Sequence, residues 1–282
     1  MSTAREQELR QSLAAVRRRL ANAAEAAGRD VGDIELLPIT KFFPAGDVVL
    51  LHRLGCEAVG ESRDQEATQK IEEVRGIDGG DALRWHMVGR IQRNKARSVA
   101  QWAYAAHSVD SPKVIAALDR AAVEALEGGR RNEALRVYLQ VSLDGDETRG
   151  GVDVAATGRI DELCGAMHEA PGLRFVGLMA IPPRDADPAT AFARLRQERE
   201  RVQTAYQQRL ELSAGMSGDL EAAVEHGSTC VRVGTALLGS RPLTSPEVVT
   251  PVTPSSQTTD SADSSNTPDS SDTSAPREGS SR

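Results

Sequence analysis

The sequence predicts an α/β fold, a single (β/α)8 barrel of the TIM type, on three observations. Short apolar, strand-like segments alternate with helical stretches through residues 1–242, and alternating βα units imply a parallel sheet. There are eight such units, which at this length fit a closed barrel better than an open doubly wound sheet. The turn after the first strand, "ITKFFPAGD", is also not the glycine-rich dinucleotide turn that an open sheet would place there.

The elements follow in order. An extra helix at the N-terminus is signalled by Thr3 and Glu6 in capping-box spacing, with Leu9, Leu13, Val16 and Leu20 on one face. The run Arg17–Arg19 reads as its solvated side. The strands are "IELLPIT", "CEAVGE", "LRWHMVG", "YAAHSVD", "LRVYLQVSL", "LRFVGLMAI", "LELSAGM" and "CVRVG". Between them, helices are expected over 45–54, 63–75, 91–101, 111–127, 153–169, 188–209 and 218–226, the last capped by Ser217.

Composition changes after about Leu243. Residues 243–282 are rich in Ser, Thr, Pro and Asp and hold six acidic residues against two arginines, so they carry −4 of the chain's −7. Such a segment has too little apolar surface to offset the entropy of ordering it, and a disordered tail is expected. Residues 1–242 are then one nearly charge-balanced domain.

Apolar residues make up 39% of the 282, but aromatics only 3%, so the core must be built from Ala, Leu, Val and Ile. The net acidic charge argues against a nucleic-acid partner. No stretch approaches the roughly 18 apolar residues of a membrane span, and the charged N-terminus lacks the apolar run of a signal peptide. Cys56, Cys164 and Cys230 are sparse and irregularly spaced. They suggest reduced thiols in a cytoplasmic protein, with no disulfide framework and no metal site.

In a parallel barrel the chemistry sits where strands end, and closure makes the first strand a neighbour of the eighth. Strand one ends at Lys41, which precedes Phe42 and Phe43, two of the chain's four Phe. An ammonium beside apolar rings loses solvation, which favours the neutral, nucleophilic amine. Strand eight ends at Gly234–Thr235, opening a helical turn whose backbone N–H groups attract an anion. Ser217 follows strand seven, and the loops after strands seven and eight are where barrels place phosphates. An amine beside a phosphate cup describes a site for a phosphorylated aldehyde. Pyridoxal 5′-phosphate (PLP) is the leading candidate, and a phosphosugar aldolase uses the same geometry.

The segments "LPITKFFP", "GESRDQEATQK", "WHMVGRIQRNK", "GLMAIPP" and "LSAGMSGDLEAAVEHGSTCVRVGTALLG" together resemble the pyridoxal-phosphate homeostasis protein family. Its members resemble the barrel domain of alanine racemase. The likeness spans about residues 5–241. It implies that Lys41 carries PLP as a Schiff base, an internal aldimine. It also implies that Ser217, Gly234 and Thr235 hold the phosphate and that Arg232 faces the pyridine nitrogen. An arginine there donates a hydrogen bond and leaves that nitrogen unprotonated, so the ring is a weak electron sink. Racemases of this fold add a tyrosine base from a second, β-rich domain. Here only the tail follows strand eight, so the expectation is a cofactor carrier in vitamin B6 homeostasis rather than an enzyme. It would be monomeric and cytoplasmic, with PLP-dependent apoenzymes as recipients and no nucleic-acid or membrane partner. The alternative is a PLP-dependent amino-acid racemase or lyase.

Three positions depart from the family pattern: Ser62 for the usual asparagine, Asp64 for an apolar residue and Arg149 for lysine. Elsewhere, His86 beside Trp85 is expected to be packed with its nitrogens satisfied. Gln92–Lys95 open a helix on the same rim. Met179 and Met216 are expected as pocket filler, and Cys230 starts its strand away from the rim, which argues against a catalytic thiol.

Overall fold

The computed structural model describes residues 3–77, 79–183 and 185–240, and the expected tail lies outside them. Helix α1 (Ala4–Ala26) opens on the expected cap, with the Thr3 hydroxyl accepting the Glu6 N–H at 3.2 Å. The order is then β1 (Glu35–Pro38), α2 (Ala45–Arg53), β2 (Ala58–Glu61), α3 (Asp64–Val74), β3 (Arg84–Met87), α4 (Ala96–Trp102), β4 (Ala105–Val109) and α5 (Pro112–Glu127). It continues with β5 (Leu135–Ser142), β6 (Val152–Asp153), α6 (Thr157–Glu169), β7 (Leu173–Ala180) and α7 (Pro188–Gln203). The last elements are β8 (Glu211–Ser213), α8 (Leu220–Glu225), β9 (Cys230–Val233) and α9 (Thr235–Leu238). All eight expected strands form. The two-residue β6 is an addition that pairs only with β5.

The strands run parallel in the order β1-β9-β8-β7-β5-β4-β3-β2. First and last strands pair over four residues, from Glu35 opposite Cys230 to Pro38 opposite Val233. The circle closes between β1 and β2 through one bridge, Ile39 to Gly60, whose hydrogen bond runs from Thr40 N–H to the Gly60 carbonyl at 3.0 Å. The architecture is therefore the expected barrel, with a thin seam beside Lys41.

A two-residue period sorts side chains between the two sides of this wall. Val137, Leu139 and Val141 of β5 point outward into the main apolar cluster beneath α4–α7, as Val231 and Val233 of β9 do beneath α1. The alternate residues Tyr138, Arg232, His86, His107 and Ser213 are all buried. They fill the interior with polar groups, where barrels usually stack branched apolar side chains.

Several expectations need correction. Helix α7 stops at Gln203 rather than 209 because that side chain folds the following segment back. Its amide donates to the carbonyls of Tyr206 and Gln208 and accepts the Leu210 N–H. Residues 93–95 form a 3-10 turn before α4 starts, and α6 starts at Thr157 rather than 153. Ser217 does not cap α8; Asp219 occupies that position. The arginine run on α1 is bonded rather than merely solvated. Arg17 donates to the carbonyls of Leu54 and Gly55, and Arg19 donates to the Ser217 carbonyl and Glu221. Among the described residues, no helix is long and apolar enough to cross a membrane.

Candidate functional site

The pairing of β1 with β9 places two turns side by side on the C-terminal rim. Ile39 N–H donates to the Val233 carbonyl at 2.9 Å. Lys41 lies two residues beyond Ile39, and Gly234 directly follows Val233. A Cβ added at Gly234 would meet Ile39 at an ordinary 3.8 Å. Protein packing therefore does not demand the glycine; its effect is to leave the backbone bare towards the rim.

Gly234 precedes α9, and the Ala236 N–H at the start of that turn is taken by the Ser217 hydroxyl at 3.2 Å. Ser217, Gly234 and Thr235 are thus assembled from two loops into one cluster of hydroxyls and helix-start amides, a set that suits a phosphate. Helix α1 braces it. Besides Arg19 on the Ser217 carbonyl, Arg5 spans from Asp47 of α2, at 2.6 Å, to the Leu238 carbonyl that ends α9.

Beneath this rim sits Arg232, 5% exposed. Its guanidinium donates to the Ser213 hydroxyl at 2.6 Å and to the Ala180 carbonyl at 3.0 Å. Burial pulls its pKa below the usual arginine value. No carboxylate stands within ion-pair distance of it among the described residues. A guanidinium has five N–H donors, so this sealed cation retains capacity for an acceptor such as a pyridine nitrogen. The donor set fits PLP.

The segment carrying Lys41 is held by groups that the sequence pattern did not single out. Lys70, from α3, donates to the Thr40 carbonyl at 2.8 Å, to Glu61 at 2.8 Å and to Glu66 at 2.7 Å. The Thr40 hydroxyl donates to Glu61 at 2.6 Å, and Glu66 accepts the Phe42 N–H at 2.6 Å. Burial raises the Glu61 pKa, while Lys70 and Thr40 oppose that rise. Phe42 adopts φ +70°, a left-handed conformation costly for an aromatic residue and common at functional sites. The nearest sequence signal was the i,i+4 pair Glu66–Lys70, which reads as an ordinary surface pair.

The expected apolar surround of Lys41 is only half present. Its ammonium lies 6.0 Å from the Phe42 ring centre, and the Arg63 guanidinium lies 5.1 Å from the same ring. Phe43 turns away into the cluster under α1. Of the family departures, Asp64 is buried and accepts the Trp102 indole N–H at 3.0 Å, so its polarity is matched. Arg149 reaches the Pro182 carbonyl at 3.1 Å across the rim. Met179 is buried in the barrel beside Tyr138, and Cys230 is buried at the strand start.

His86 departs from expectation. Its Nδ1 lies 2.9 Å from His107 Nε2, and His107 Nδ1 lies 2.8 Å from the Ser213 hydroxyl, but His86 Nε2 is buried without a partner. Burial pushes the His86 pKa down to about 3 and the His107 pKa well below its usual value, so both rings are neutral.

Known proteins of similar sequence and fold are as follows. The family model described as alanine racemase, N-terminal domain, matches residues 11–242. A Mycobacterium tuberculosis protein named pyridoxal phosphate homeostasis protein is 61% identical over 250 residues, covering 86% of this chain and 96% of the relative. The Escherichia coli protein of that name is 33% identical over 244 residues, covering 83% and 97%. Among solved structures, PipY of Synechococcus elongatus PCC7942 with PLP bound has a TM-score of 0.68 and 31% identity, covering 82% of this chain and all of PipY. Alanine racemase from Streptomyces coelicolor shares the fold at a TM-score of 0.60 and 18% identity, and the match covers 58% of the racemase.

Proposed function

The chain belongs to the pyridoxal phosphate homeostasis protein family, and from that premise we propose that it binds PLP through Lys41 and carries the cofactor without catalytic turnover. The β1–β9 pairing supports this reading most, because it sets the Lys41 turn against the Ser217–Gly234–Thr235 cluster with the Arg232 guanidinium beneath. When bound, PLP supplies an aldehyde for a primary amine and an electron-withdrawing ring. Lys41 would supply the amine. Ser217, Gly234 and Thr235 would hold the phosphate with hydroxyl and backbone donors, and Arg232 would donate to the ring nitrogen and keep a proton off it.

A carrier role is supported by where the described tyrosines and histidines sit. Racemisation needs a proton donor and acceptor on opposite sides of the bound substrate. Tyr104 lies just before β4 and Tyr138 low in β5, both near the opposite mouth, while Tyr206 packs outside the barrel against Phe175 and His168. His86 and His107 are committed to the interior chain. The natural recipients are then PLP-dependent apoenzymes in the cytoplasm, served by a single-barrel monomer.

The test is borohydride reduction of the PLP-loaded chain followed by peptide mass mapping. The label is expected on Lys41, and Lys41→Ala is expected to lose both label and visible absorption band while staying folded. A band retained in that variant overturns the assignment. Exchange of the Cα proton of amino acids in deuterated water would instead favour an enzyme.

A further inference from the structure

Lys41 is the second residue of a four-residue turn. The Phe43 N–H returns to the Thr40 carbonyl at 3.0 Å. The third residue, Phe42, has φ +70°, whereas Lys41 is not left-handed. That combination is a type II turn, where glycine is usual at the third position. The commoner type I turn has φ of about −90° there and accepts phenylalanine. The two forms differ mainly in the central peptide, which is turned over by about 150° or more. Here that peptide joins Lys41 to Phe42. Turning it over would reverse the Phe42 N–H and the Lys41 carbonyl, and would tilt the Lys41 Cα–Cβ bond from which the amine projects.

The residues of the turn favour the other form, because left-handed backbone is costly for a side chain as large as phenylalanine. Helix α3 supplies what offsets the cost. Glu66 Oε1 accepts the Phe42 N–H at 2.6 Å, a bond that the turned-over peptide would lose. The Lys70 ammonium donates to that same oxygen at 2.7 Å and to the Thr40 carbonyl at 2.8 Å. Its third N–H goes to Glu61 at 2.8 Å, which uses all its donors. Both peptides flanking the Lys41 Cα are therefore gripped from one helix, the first at its carbonyl and the second at its N–H.

We propose that Glu66, backed by Lys70, is a positioning residue for the cofactor amine: it holds the Lys41–Phe42 peptide in its strained orientation and so sets the direction in which Lys41 meets PLP. The inference rests on the reading of Lys41 as the amine that binds PLP. A hydrogen bond to a carboxylate is among the stronger ones in proteins, and it matches the cost of one left-handed residue.

The test is a double-mutant cycle between Glu66 and Phe42 in the full chain, read as PLP affinity from the visible band, with urea unfolding to show that each variant folds. Glu66→Ala is expected to weaken PLP binding about tenfold. Glu66→Gln keeps an acceptor oxygen and is expected to stay within about threefold of the parent. Phe42→Gly removes the steric cost of a positive φ, so in that background Glu66→Ala is expected to cost about twofold or less. A residue acting only through stability or charge would weaken binding equally in both backgrounds. That result, unchanged affinity in Glu66→Ala, or a loss in Glu66→Gln as large as in Glu66→Ala overturns the proposal. Amide exchange at Phe42 in the unloaded chain reads the grip without cofactor. Protection is expected in the parent and its loss in Glu66→Ala, and a Phe42 amide that exchanges freely in the parent overturns the proposal as well. Borohydride labelling of the parent keeps the two readings apart: a label away from Lys41 sinks the cofactor assignment, while exchange at Phe42 tests the grip by itself.

Discussion

A guanidinium sealed in a barrel with no carboxylate in ion-pair reach among the described residues is costly to bury, and Arg232 is tolerated because Ser213 and Ala180 accept from it. On the proposed reading, Arg232 would donate to the ring nitrogen of bound PLP. Arg232→Glu is expected to protonate that nitrogen and shift the visible band of bound PLP. An unmoved band in a loaded, folded variant means that Arg232 does not face the ring. At this scale the proposed residues Lys41, Ser217, Gly234 and Thr235 lie near strand ends that periodicity finds, whereas Arg232, inside β9, entered only through the family resemblance. The sequence was not legible where a contact joins distant elements. Lys70 reads as a solvated helix residue, yet it is buried and holds Thr40 and Glu61. Such a role appears only once α3 is folded against the seam.

Between elements, the β1–β2 seam has a single ladder bridge, and Lys70 adds cross-ties to Thr40 and Glu61 beside the Thr40–Glu61 hydrogen bond. Lys70→Met would leave Glu61 buried without its cation. Breaking one side of a buried pair costs about 3 kcal/mol or more, so urea unfolding is expected to shift by about that amount. Adding Glu61→Gln should restore most of the loss, because the uncompensated charge is gone. A double variant as unstable as the single one would mean that Lys70 acts by packing alone. The order of elements and most helix positions were readable from periodicity, whereas helix ends were not. Helix α7 ends at Gln203 because of side-chain bonds to carbonyls that lie beyond it, and no local propensity encodes them. The clamp formed by Arg5 and Arg19 was likewise invisible, since arginines on a helix face normally mean solvent.

For the molecule as a whole, the polar interior has a consequence for pH. The folded pKa of His86 is depressed to about 3, below its unfolded value of about 6.5. The unfolded chain therefore binds more protons between those values, and stability is lost as pH falls through that window. At pH 5.5 the loss from His86 is about 1.4 kcal/mol. Urea midpoints at pH 7.5 and 5.5 check this, and the difference should shrink in His86→Gln. The barrel itself was legible from eight alternating units. Its interior was not, because a strand pattern says which residues alternate but not which polar groups meet across the axis. The pairing of β1 with β9 also bears on synthesis. A ribosome releases Lys41 long before Thr235, so amine and anion cup never coexist on a growing chain until β9 has emerged. On the proposed reading, chains truncated before β9 would lack the anion cup and hold the vitamin far more weakly.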